Sequence, residues 1–144
     1  MKKIVISCSL ALFLTGCSDK NAYEQLVLEQ MKVDQDIKDY HLVPEEMTSC
    51  VIETSSKKMP GLFPLDPERL TAYRNYAKLL QFRTAENKQQ ALEDLRNSFG
   101  SGRALAEANS NYTESVMSCL ASLSSKTEQA QVEKEDVAKP KPAN

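Results

Sequence analysis

The side chains most able to do chemistry in this sequence are four cysteines, Cys8, Cys17, Cys50 and Cys119, and one histidine, His41. Thiolates serve as metal ligands or as redox pairs when a second cysteine stands two to four positions away. No Cys-x-x-Cys occurs, and His41 has no companion to share a metal. The adjacent acids Glu45-Glu46 and Glu93-Asp94 resemble acid/base pairs only on paper, because neighbours on a helix point in different directions. Ser49, Ser98, Ser115 and Ser118 would need a positioned base to act as nucleophiles, and His41 stands in a turn with no motif around it. Asn111-Tyr112-Thr113 matches a glycosylation pattern, but Tyr112 belongs to an apolar stripe that wants burial. No glycine-rich phosphate loop or nucleotide fingerprint occurs. The expectation is a protein that binds rather than catalyses, with no metal and no cofactor.

Cys17 closes the segment MKKIVISCSLALFLTGC, which opens on Lys2 and Lys3 and continues as an apolar run from Ile4 to Leu14. That run falls short of the roughly 20 apolar residues a membrane-spanning helix needs and suits the core of a signal peptide. Leu14-Thr15-Gly16-Cys17 resembles the lipobox of bacterial lipoproteins at all four positions. The resemblance implies a diacylglycerol on the Cys17 thiol, cleavage before Cys17 and a further acyl chain on the new amine. Two or more such chains anchor a protein durably. In that family the residue after the cysteine guides sorting, and Ser18 in place of aspartate points to the outer membrane, with the chain on its periplasmic face.

On that reading Cys8 leaves with residues 1–16, Cys17 carries lipid, and Cys50 and Cys119 remain in an oxidising compartment. A single disulfide between them is expected, closing a long loop in a small domain that gains from a staple. The chain of 144 residues has a formal net charge of -2, which becomes -4 once Lys2 and Lys3 are removed. Such a mildly acidic protein lacks the clustered cations that nucleic-acid binding requires.

The elements that position these residues read as helices. Tyr23, Leu26, Gln30, Val33, Ile37 and Tyr40 recur at spacings of three and four, predicting one helix face. His41 to Pro44 breaks the pattern, and Pro44-Glu45-Glu46 starts a second helix with Met47, Cys50, Val51 and Thr54 inward. Met59-Pro60-Gly61-Leu62-Phe63-Pro64-Leu65 is an apolar loop, expected to tuck over Leu70 and Tyr73; the alternative is an exposed partner-binding lip at Leu62 and Phe63. Asp66-Pro67-Glu68 opens a third helix with Leu70, Tyr73, Ala77 and Leu80 on one face, widened by Tyr76, Leu79 and Phe82. The pattern loosens at Thr84 to Asn87 and resumes with Ala91, Leu92, Leu95 and Phe99 up to Gly100, which leaves open one bent helix or two. The last helix carries Leu105, Ala108, Tyr112, Val116, Cys119, Leu120 and Leu123.

The predicted organisation is a signal peptide over 1–16, an all-α domain of about four helices over 17–124 stapled by Cys50 and Cys119, and a disordered tail over 125–144. A lipid-tethered helical domain with an internal disulfide is similar in design to the pilotins of secretion systems. The resemblance implies an adaptor that binds another envelope protein. The alternative expectation is a periplasmic inhibitor or immunity lipoprotein facing a toxin or cell-wall hydrolase, and a third is a carrier of an apolar ligand.

Overall fold

In the computed structural model the backbone is described for residues 13–138 and the side chains for residues 18–129. The described residues form six helices and no strand: α1 Phe13–Val33, α2 Gln35–Asp39, α3 Pro44–Ser56, α4 Pro67–Gln81, α5 Lys88–Phe99 and α6 Gly102–Ala138. The protein is all-helical, with more elements than the four expected, because two of the anticipated helices are interrupted. Residues 1–12 of the anticipated signal peptide, and the side chain of Cys17, lie outside the described residues.

Each interruption has a local cause. Asp34 stands in extended conformation, and its carboxylate accepts from the Asp36 and Ile37 amides at 3.0 and 3.4 Å. That cap ends α1 at Val33 and starts α2 afresh, so the face expected to run unbroken to Tyr40 is split. The buried stripe of α1 is Tyr23, Val27 and Met31; Val33 and Tyr40 are exposed, and Ile37 returns to the core from α2. After α4 a 3-10 turn at Phe82–Thr84 and an extended Ala85 separate it from α5. The Asn87 side chain caps α5 by accepting from the Gln90 amide at 3.1 Å, and Gly100 ends it in the left-handed region at φ 81°. The question left open by the sequence resolves as two helices.

The last helix continues to Ala138, beyond the Ser124 at which apolar periodicity stops. Residues 125–138, expected to be disordered, are helical: Lys, Glu, Gln and Ala are good helix formers, and extending a helix already nucleated costs little.

The helices close into a ring. α1 packs between α3 and α4, α3 continues to α6, and α5 bridges α6 back to α4. Tyr23 lies against Tyr73 and Tyr76 with ring centroids 6.0 and 5.7 Å apart, and Tyr76 meets Phe99 edge-on at 5.9 Å. Cys50 and Cys119 form the expected disulfide, with Cα atoms 5.9 Å apart, and tie α3 to α6. No helix among the described residues is long and apolar enough to cross a membrane.

Contacts between helices set their directions. Asp19 pairs with Arg74 and Tyr23 reaches Tyr76, so α1 and α4 run the same way. Tyr23, midway along α1, bonds Ser55 at the end of α3, while Lys32, farther along α1, lies 3.8 Å from Glu45 at the start of α3, so α3 runs opposite to both. Asn111 meets Ser55 and Cys119 meets Cys50, so α6 is antiparallel to α3. The bundle therefore has two distinct ends. One holds the start of α1 and the α3–α4 loop; the other holds the α1–α3 connection and the projecting end of α6.

Candidate functional site

The α3–α4 loop, residues 57–66, is shaped by two charged side chains. Arg69, in the first turns of α4, donates from Nε to the Pro60 carbonyl at 2.8 Å and from Nη2 to the Met59 and Gly61 carbonyls at 3.1 and 2.6 Å. Its Nη1 reaches the Ser56 carbonyl. From the other side Asp66 accepts from the Leu62 amide at 3.0 Å and the Glu68 amide at 2.9 Å. These two N–H donors, with Arg69 nearby, hold the Asp66 carboxyl below the usual carboxylate range. Gly61 turns at φ +92°, and a Cβ there would stand 2.7 Å from the Arg69 Cβ and backbone nitrogen. The glycine is thus required both by the turn and by the closeness of α4.

This bracing corrects the expectation that the loop tucks over the core. Only Met59 is buried; Leu62 is 93 % exposed, Phe63 57 % and Leu65 55 %. A loop whose carbonyls are drawn onto Arg69 turns its next side chains outward, so Leu62 and Phe63 do not cover Leu70 or Tyr73. The alternative geometry holds: a fixed, exposed apolar lip.

Inside the bundle a chain of polar groups crosses the helices. Ser55 Oγ donates to the Ile52 carbonyl at 3.4 Å and lies 3.0 Å from the Tyr23 hydroxyl. Asn111 Nδ2 donates to the Ser55 carbonyl at 2.9 Å and to the Tyr76 hydroxyl at 2.8 Å, and Ser115 Oγ donates to the Asn111 carbonyl at 2.7 Å. Burial raises the Tyr23 phenol well above its ordinary value, with the Ser55 bond opposing, and burial pushes Tyr112 up to about 12. Both phenols are neutral across the physiological range, and their role is to specify how α1, α3, α4 and α6 meet. Asn111 Oδ1 is buried without a protein partner. The residue lines a cleft of about 640 Å³ between α4, α5 and α6, together with Pro60, Tyr76, Phe99, Ala104 and Ala108.

The remaining candidates are scattered. Glu45 lies 3.8 Å from Lys32, Glu93 and Asp94 accept from Gln89 and Gln90, and Ser98 Oγ accepts from Lys78; these are surface contacts. Ser49 and Ser118 are exposed, and His41 is an exposed turn residue at φ 54°. Among the described residues no three His, Cys, Asp or Glu side chains gather as a metal site. Sequence reasoning missed Arg69, Ser55 and Asn111. Ser55 follows Met47 and Val51 at four-residue steps, and Asn111 and Ser115 follow Ala108 by three and seven. Polar residues at apolar-stripe positions were the available signal. No family model, curated protein or solved structure matches the chain.

Proposed function

We propose that the chain is a lipoprotein, acylated on Cys17 and held at the periplasmic face of the outer membrane, where it works as an adaptor for another envelope protein. The observation that supports this reading best is the bundle's polarity. Cys17 lies two residues, about 3 Å of helix rise, before Asp19 at one end. At the other end Val33, the last residue of α1, and Tyr40 and Val43, on the ten-residue connection to α3, are exposed apolar side chains. Beside them α6 projects: residues 126–138 add roughly 20 Å of helix beyond the level of Pro44. A tether at one end and an apolar, extended surface at the other suit a protein that holds a partner away from the bilayer.

A photo-cross-linking residue at Tyr40 or Val43 tests the adaptor reading, with Gln89 on exposed α5 as the control. Capture of a membrane-assembly subunit from Tyr40 and Val43 but not from Gln89 is the expected result. Capture of a toxin or a cell-wall hydrolase would replace the adaptor with the inhibitor reading, and no specific product from either position would refute it.

A further inference from the structure

The lip and the tether share an end of the molecule, and a continuous set of bonds connects them. Arg74 Nη1 donates to Asp19 at 2.7 Å, and Arg74 Nη2 donates to Thr71 Oγ1 at 2.9 Å. Thr71 Oγ1 donates to the Pro67 carbonyl at 2.9 Å, and the preceding Asp66 holds the Leu62 amide at 3.0 Å. Asp19 therefore stands about three turns of α4 or less from the lip, with Cys17 nearer the bundle's end than Asp19. Acyl chains on Cys17 would fix that residue at the boundary between headgroups and hydrocarbon. A protein bound to Leu62, Phe63 and Leu65 would have to enter between the bundle and the bilayer.

We infer that Leu62, Phe63 and Leu65 form a membrane-seating lip, which enters the lipid surface beside the acylated Cys17 and sets the bundle end-on. The inference rests on the lipoprotein reading and names the occupant of the exposed loop as a lipid surface. Three large apolar side chains within four residues of one loop are exposed, and the Arg69 and Asp66 bonds hold the loop backbone before contact, so little backbone entropy is lost on insertion. The nearby cations are already engaged: Lys57 pairs with Glu53 at 3.0 Å and Lys58 with Glu114 at 2.8 Å. The seating is therefore apolar rather than electrostatic, and raised salt should leave it unchanged. Its effect is orientation: it aims Val33, Tyr40, Val43 and the end of α6 away from the bilayer.

The chain contains no tryptophan, so one introduced indole reports its own surroundings. Phe63→Trp, Leu62→Trp and Tyr40→Trp are made separately in the lipidated mature protein. Each is reconstituted into vesicles of phosphatidylethanolamine and phosphatidylglycerol containing a phospholipid brominated near the top of its chain. The expected result is a blue shift and loss of most emission for the indoles at 62 and 63, at low and high salt alike, with the indole at 40 unquenched. Leu62→Trp, at the most exposed position, keeps the test informative if Phe63→Trp perturbs the loop. Unquenched indoles at 62 and 63 on vesicle-bound protein would overturn the inference while leaving the lipoprotein reading intact, and the lip would pass to a protein partner. Equal quenching at all three positions would overturn the end-on seating. Native protein whose mass shows no acyl group would remove the lipoprotein reading and the inference together.

Discussion

Replacing Arg69 with glutamine removes the cation that gathers the carbonyls of Ser56, Met59, Pro60 and Gly61. A hydrogen bond to a charged group contributes about 1.5 to 3 kcal/mol when it is lost from a buried site. Here the freed carbonyls lie near the surface and water replaces part of the loss, so the four together should amount to about 2 to 4 kcal/mol. For a domain of this size that corresponds to a fall in Tm of roughly 8 to 16 °C. Gly61→Ala attacks the same clamp from the other side, since its Cβ would collide with Arg69 at 2.7 Å and its φ of +92° disfavours a side chain. If both substitutions act through one contact, the double variant should lose clearly less than the sum of the singles, with a coupling of about 1 kcal/mol or more. Thermal melts of the four proteins measure this, and hydrogen exchange at the Leu62 amide should quicken in each variant. A Tm change below about 2 °C for Arg69→Gln, or full additivity with Gly61→Ala, would refute the view that Arg69 builds the lip.

Three further outcomes follow from the same geometry. Met59→Ala should cost about 2 to 5 kcal/mol because Met59 is the buried member of the loop. Phe63→Ala should cost under about 1 kcal/mol, and equal losses in chemical denaturation would contradict the outward placement of Phe63. Reduction of Cys50–Cys119, which spans 69 positions, should lower stability by about 4 kcal/mol while leaving the helical circular-dichroism signal in place; an unchanged melt would count against the staple. Asp66 has a lowered folded-state pKa, so its contribution is complete above the ordinary aspartate value of about 3.9 and is lost as pH falls through the lower folded value. An NMR titration should show the Leu62 amide shifting with that carboxyl, and a titration at or above the ordinary value would contradict the bond.

What the sequence made legible was what depends on local chemistry. Pro44, Asp66-Pro67 and Gly100 marked helix boundaries because their effects act within one turn, and the Cys50–Cys119 pairing followed once the other two cysteines were assigned elsewhere. The first helix was drawn too long because periodicity alone does not weigh the competing bonds of Asp34 to the amides after it. The loop was read inward because apolar composition favours burial, and only tertiary structure shows Arg69 reaching back 8 to 13 positions to claim its carbonyls. Ser55 and Asn111 left only a partial signal: their stripe positions mark them for burial, but a polar residue there reads as a defect until its partner on another helix is known. The bundle's two ends, on which the functional reading depends, emerged only from the relative directions of α1, α3, α4 and α6.

The central claim, a helical bundle tethered through Cys17, is tested most directly by fatty-acid labelling of the wild-type chain and of Cys17→Ala in cells, with intact mass measured on the membrane-bound product. The account predicts a labelled wild-type protein that begins at Cys17, carries a diacylglycerol and floats with membranes, and a Cys17→Ala chain that takes no label and leaves the membrane fraction. Label and flotation retained by Cys17→Ala, or a wild-type protein that begins elsewhere and bears no lipid, would contradict it.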